Sequence, residues 1–210
     1  MKVIIIGAGG QARVVYEILS LDRRVEIVAF IDSVFHGADE KIMGLPVLGD
    51  HSVISRLMKN GVKGAIIAIG DNKIRAERFT ECSELGLELI NAIAPTAHIA
   101  HSARIGKGVV IGTGATITTG AHVGNNVIIN TGAIVEHEDN IEDHVHIGPG
   151  TVLAGRVTVK KRAFIGIGSV VKEYITIGEN VTVGAGSVVL EDVPDNVVVA
   201  GSPARLLHSI

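Results

Sequence analysis

Residues 105–150 read IGKGVVIGTGATITTGAHVGNNVIINTGAIVEHEDNIEDHVHIGPG. Stepping by six from Ile105 meets Ile111, Ile117, Val123, Ile129, Val135, Ile141 and Ile147. The series extends back to Ile93 and forward to Val189, seventeen aliphatic residues without a gap. Four residues after each stands Ala, Val, Ser, Thr or Ile, with Asp139 the single exception. A hexapeptide period of this kind predicts a parallel β-helix, a chain coiled as a triangular prism that turns a corner every six residues. The aliphatic residue faces inward. The small residue four places on faces in at the narrow corner. Residues about 18 apart should stack on one another. A Gly often follows the aliphatic residue, as at Gly106, Gly112, Gly148 and Gly166. There it is expected to supply backbone angles that a Cβ forbids. No insertion interrupts the repeat, so no long loop is expected to leave the prism.

The first ninety residues follow a different rule. Lys2 to Ile6 is a continuous aliphatic run, as a strand buried on both faces requires. The turn Gly7-Ala8-Gly9-Gly10-Gln11-Ala12 follows, then a helical pattern through Val14, Val15, Ile18 and Leu19. A second strand, 26–31, ends at Asp32; a third is expected over 64–69, then Gly70-Asp71-Asn72 and a helix. This alternation predicts a small Rossmann-like parallel sheet over residues 1–92, before a β-helix over 93–210. The fold class expected is thus α/β plus β. A Gly-rich turn that opens a helix suits a phosphate, and Asp32 stands where a ribose hydroxyl would be met. The plainer reading is that the glycines only permit a tight turn. The unit is too short for the second mononucleotide half of an NAD site, so a nucleotide attached to a sugar fits better.

Composition narrows the function. Net charge is −3, which argues against nucleic acid as the main partner. Cys82 is the lone cysteine, so a Cys-based metal cage and an internal disulfide are excluded and a reducing, cytoplasmic setting is expected. The apolar run at the N-terminus is too short for membrane insertion. Aromatic residues make up 3% of the chain and Trp is absent, as a narrow aliphatic prism would require.

The hexad Val135-Glu136-His137-Glu138-Asp139-Asn140 breaks the repeat. It lacks Gly and places a carboxylate at an interior position. Local rules tend to be violated at functional sites. A histidine flanked by two acids suits a general base, since a carboxylate orients the imidazole and stabilises its protonated form. His98, His101, His122 and His208 read as surface residues, and His146 as a second candidate.

These residues together resemble the left-handed β-helix (hexapeptide repeat) acyltransferases. With the tail Val199-Ala200-Gly201-Ser202-Pro203-Ala204-Arg205 and the GAGGQA turn, the chain resembles the sugar acetyltransferases of bacterial glycan pathways. These are the UDP-4-amino-sugar N-acetyltransferases and the sialic acid O-acetyltransferases. The resemblance implies a homotrimer with acetyl-CoA between neighbouring prisms and no metal. It implies His137 as general base with Glu138 as its partner, and Asn130 as a polar residue nearby. His146, Gly155, Ile167 and Ala185 would contact acetyl-CoA, with the Gly155 N–H offered to the thioester carbonyl. Gly9, Gly10, Gln11, Asp32, Ser33 and Gly70 would hold the UDP-sugar. Gln11 and Ser33 depart from the family, in which a His and a second acid are common. Three alternatives stay open: an O-acetyltransferase for sialic acid or another sugar, a non-catalytic trimeric scaffold, and a three-histidine metal site.

Overall fold

A computed structural model describes residues 1–33 and 40–210. The chain divides into two compact units, Met1–Ala92 and Ile93–Ile210.

In the first unit the strands are β1 (Lys2–Ile6), β2 (Glu26–Ile31), β3 (Lys41–Ile42), β4 (Leu45–Leu48), β5 (Val62–Ile67) and β6 (Glu88–Leu89). The helices are α1 (Gly10–Ser20), α2 (Ile54–Lys59) and α3 (Asn72–Glu84). The sheet order is β3-β4-β2-β1-β5-β6, parallel except for the β3–β4 hairpin. Val3 to Ile6 are fully buried, because β1 lies between β2 and β5. The third strand runs over Val62–Ile67 rather than 64–69, since its ladder partner β1 ends where Ile6 pairs with Ile67. Because the main strands are parallel, the segments leaving β1, β2 and β5 emerge at one edge of the sheet. That edge carries Gly7 to Gly10, Asp32-Ser33 and Ala68 to Asp71.

The second unit is the left-handed β-helix. It holds seventeen two-residue strands, from Ala92–Ile93 to Val188–Val189. Each pairs in parallel with the strand 18 residues away: Thr116 pairs with His98 and with Ile134, and Ile128 with His146. Three faces result. The first contains Ile128–Ile129 and His146–Ile147, the second Ile134–Val135 and Val152–Leu153, the third Asn140–Ile141 and Thr158–Val159. From Ile111 to Val183 the inward aliphatic residues are fully buried, each contributing about 1.5–3 kcal/mol. Ile93, at the end of the stack, stays 39% exposed. After the last coil, Val197–Gly201 joins the first face in parallel, and Ala204–Ser209 folds back on it antiparallel.

The glycines beside the aliphatic residues are needed for a different reason from the one expected. None of Gly106, Gly112, Gly148 and Gly166 has a positive φ. A Cβ on Gly106 would lie 2.6 Å from the Gly124 carbonyl oxygen, and one on Gly166 2.6 Å from that of Val183. Space between coils excludes a side chain there. The left-handed residues come two places later, at Gly114, Gly132 and Gly150 on one corner and at Gly120, Glu138, Arg156 and Tyr174 on another.

Candidate functional site

Asp139 explains how the irregular hexad is held. It fills an interior position that elsewhere takes Ala115, Ala121 or Ala133, and it is 1% exposed. Its Oδ1 accepts the Val157 N–H at 2.7 Å and its Oδ2 the Glu136 N–H at 2.8 Å. The carboxylate therefore pins the corner that carries Glu136, His137 and Glu138 to the next coil. Burial pushes this carboxyl up to about 7, against the pull of the two N–H donors. Its ordinary value is 3.8, so folding takes up a proton between about pH 4 and 7. Stability linked to that proton is full at low pH and is lost as pH rises through about 7. Asp139→Asn removes the titration. The melting temperature of the wild type minus that of the variant should fall by a few degrees between about pH 5 and pH 8. A constant difference across that range would contradict the burial argument.

His137 stands out from the corner with its side chain 56% exposed. Its ring lies over Gly155, one coil on: a Cβ at Gly155 would be 2.5 Å from Cε1 and 2.9 Å from Cδ2. The Gly155 N–H makes no hydrogen bond to the described residues. Glu138 Oε2 is 3.5 Å from His137 Nδ1, an ion-pair distance rather than a good hydrogen bond. Glu138 Oε2 also accepts from Arg156 Nε at 2.6 Å, which holds its carboxyl below the usual range. Glu136 Oε2 accepts the His137 N–H at 3.1 Å and the Thr118 hydroxyl at 3.2 Å.

The second face separates this corner from another. Asn130 and His146 belong to the first face and its corner, where Asn130 Nδ2 lies 3.3 Å from His146 Nε2. His146 is 8% exposed and meets Phe164 edge-on, ring centroids 5.1 Å apart. Ile167 and Ala185, both exposed, project from the same corner. Within one chain the candidate residues thus fall into two groups. His137, Glu138 and Gly155 form one, and Asn130, His146, Ile167 and Ala185 lie at the other edge of the second face.

In the first unit, Gly7 is the glycine that the turn needs. Its φ is 109° and a Cβ would lie 2.8 Å from the Ala68 carbonyl oxygen. A Cβ at Gly9, Gly10 or Gly70 would meet nothing within 4 Å. No side chain caps α1 at Gly9. Asp32 Oδ2 accepts the Ala8 N–H at 2.8 Å and ties the turn to the end of β2. Gln11 is half-buried and Ser33 exposed. Arg75 was not evident from the sequence: fully buried, it donates to the carbonyls of Ile69 (3.2 Å) and Gly70 (3.1 Å) and fixes the turn after β5. Burial lowers its pKa to about 10. Asp71 Oδ1 caps α3 through the Ile74 N–H at 2.8 Å. Cys82 is buried, its thiol pushed up to about 12. No described helix is long and apolar enough to cross a membrane, and no described His, Cys, Asp or Glu residues group in threes as a metal ion would need.

Known proteins share this fold. Residues 2–82 match the family described as the PglD N-terminal domain. A histidine-to-asparagine variant of perosamine N-acetyltransferase from Caulobacter crescentus, solved with CoA and GDP-perosamine, is 37% identical with a TM-score of 0.95. The match covers 100% of this chain and 98% of that one. The chain belongs to the hexapeptide-repeat sugar N-acetyltransferase family. It is therefore an acyltransferase. Two other structures belong to this group of relatives. The acetyltransferase domain of PglB from Neisseria gonorrhoeae FA1090, in complex with acetyl coenzyme A, is 35% identical over 98% of both chains, TM-score 0.91. WeeI from Acinetobacter baumannii AYE is 25% identical over 99% of this chain and 100% of that one, TM-score 0.87. Uncharacterized protein L142 of Acanthamoeba polyphaga mimivirus is 33% identical over 117 residues, 56% of this chain. The chain spans 22% of that relative's length.

Proposed function

We propose that this enzyme transfers acetyl from acetyl-CoA to the amine of a nucleotide-linked amino sugar in bacterial surface-glycan biosynthesis. The observation that carries the reading is the exposed His137 ring seated on Gly155, beside a backbone N–H with no partner among the described residues. The amine attacks the thioester carbonyl and His137 takes its proton. The new C–N bond forms and the oxyanion meets the Gly155 N–H. Collapse breaks the C–S bond, and the imidazolium returns the proton to the departing CoA thiolate. Transfer is direct, since the buried Cys82 thiol holds its proton at neutral pH.

The working unit is a homotrimer in a cytoplasmic setting. On the second face the outward residues run His98, Thr116, Ile134, Val152, Val170 and Val188, the last four an in-register apolar column. On the third face the equivalent residues are Arg104, His122, Asn140, Thr158 and Thr176. Burial of the apolar face against a copy would bring one chain's His137 corner towards a neighbour's corner bearing Asn130, His146, Ile167 and Ala185. Light scattering should give the mass of three chains. Val170 is 44% exposed and Ile167 56%, which supports such cover.

The sugar nucleotide sits at the sheet edge, on Gly9, Gly10, Gln11, Asp32, Ser33 and Gly70. The open space at Gly9, Gly10 and Gly70 supports this over a purely steric role for those glycines. UDP is the carrier expected from the resemblance; the C. crescentus relative was solved with GDP-perosamine. Asp32→Ala should raise KM for the sugar nucleotide by about tenfold or more, as loss of a charged hydrogen-bonding partner does. KM for acetyl-CoA should stay within about twofold. Assays with UDP- and GDP-amino sugars identify the carrier. Unchanged sugar kinetics would remove Asp32 from the site.

A further inference from the structure

Glu138 is shared between two partners, and the second of them is itself anchored. Glu138, Arg156 and Tyr174 stand 18 residues apart in one corner column, with φ of 60°, 64° and 64°. Arg156 Nε donates to Glu138 Oε2 at 2.6 Å, while His137 Nδ1 is 3.5 Å from the same oxygen. At its other end, Arg156 Nη1 donates to the Tyr174 hydroxyl at 2.9 Å. The guanidinium carbon sits 5.6 Å from the Tyr174 ring centroid. An ion pair whose members are 50% and 53% exposed adds little to stability. Its consequence lies in what it does to Glu138.

We infer that Arg156, anchored by Tyr174, is a positioning residue that holds Glu138 beside His137 without letting it take full charge of the imidazole. The inference rests on His137 being the base. A base must reach the substrate unprotonated. The groups around this ring are those of its own corner and of the corner positions stacked above and below it. Glu136 lies on its own corner, engaged by the His137 N–H and the Thr118 hydroxyl. Glu138 follows it, and Asp139 is turned inward onto backbone N–H groups. The preceding coil offers only the uncharged Thr118, Thr119 and Gly120. The next offers Gly155 and Arg156, and the one beyond Lys172, Glu173 and Tyr174. Freed of Arg156, Glu138 could close on Nδ1. The loss of the nearby cation would act in the same direction, and both favour the protonated ring.

The test is the pH profile of kcat/KM for the sugar acceptor. Arg156→Met should move the acid limb upward by about half to one pH unit, with activity on the alkaline plateau within about threefold of wild type. Arg156→Lys should fall between the two, since it keeps the charge without the fork. Tyr174→Phe removes only an oxygen and should move the limb the same way by less, which preserves the test if Arg156→Met folds poorly. An unmoved limb in both Arg156→Met and Tyr174→Phe would overturn the inference, as would a loss equal at every pH. His137→Ala separates the two readings. If it loses the acid limb while Arg156→Met matches wild type, only the role of Arg156 fails. If it keeps the limb, the base itself is misassigned.

Discussion

His137→Ala is expected to lower kcat by about 10²–10⁴-fold, the contribution of a positioned general base. KM for acetyl-CoA should change little, because the imidazole is not asked to bind that molecule. The other histidines are poorly placed to take over: His101 shares this corner but stands two coils away, and His146 lies at the other edge of the second face. His146 is 8% exposed, held edge-on against Phe164 and next to Asn130. In the wild type, activity should fall on the acid side as the imidazole gains a proton, and the variant's residual activity should lack that limb. Glu138→Ala should cost less, of the order of tenfold, since Glu138 lies 3.5 Å from the ring and in the proposed mechanism would only orient it. A His137→Ala enzyme that retained more than half the wild-type kcat with a good amino-sugar acceptor would end the proposed mechanism.

The prism was legible because one period governs it. Inward positions, corner positions and 18-residue stacking all follow from the spacing of Ile111, Ile117 and their equivalents, and the pairings observe it throughout. The reason for Gly106 and Gly166 was not legible. A Cβ there collides with a carbonyl of the following coil, and sequence spacing does not reveal how close coils approach. The β3–β4 hairpin escaped notice because its strands are two and four residues long and include Pro46. At the candidate site, Asp139 declared itself by breaking the pattern, but its two N–H donors could only be seen in three dimensions. Arg156 and Tyr174 could have been found from the sequence, since they follow Glu138 at the stacking interval. Arg75 could not, because no local pattern marks a guanidinium that turns inward to carbonyls of its own preceding turn.

Gly155→Ala should approach the effect of losing the base while leaving the fold intact. Gly155 has no positive φ, so its backbone accepts alanine. The added methyl would instead lie 2.5 Å from Cε1 of His137 and displace the ring. An exposed imidazole can swing away at little cost in stability, so the melting temperature should move by no more than about 2 °C. A catalytic group displaced by about 1 Å loses roughly 10²-fold in rate, and kcat should fall by that order. The backbone N–H survives the substitution, so the loss reports the seat of the ring rather than the oxyanion contact. A double-mutant cycle tests this: in the His137→Ala background, Gly155→Ala should have almost no further effect on kcat. Gly166→Ala is the contrasting control. Its methyl would lie 2.6 Å from the Val183 carbonyl oxygen, where nothing can swing aside, so stability should fall by several degrees. Wild-type kcat in Gly155→Ala would mean that the ring acts from somewhere other than its place on Gly155.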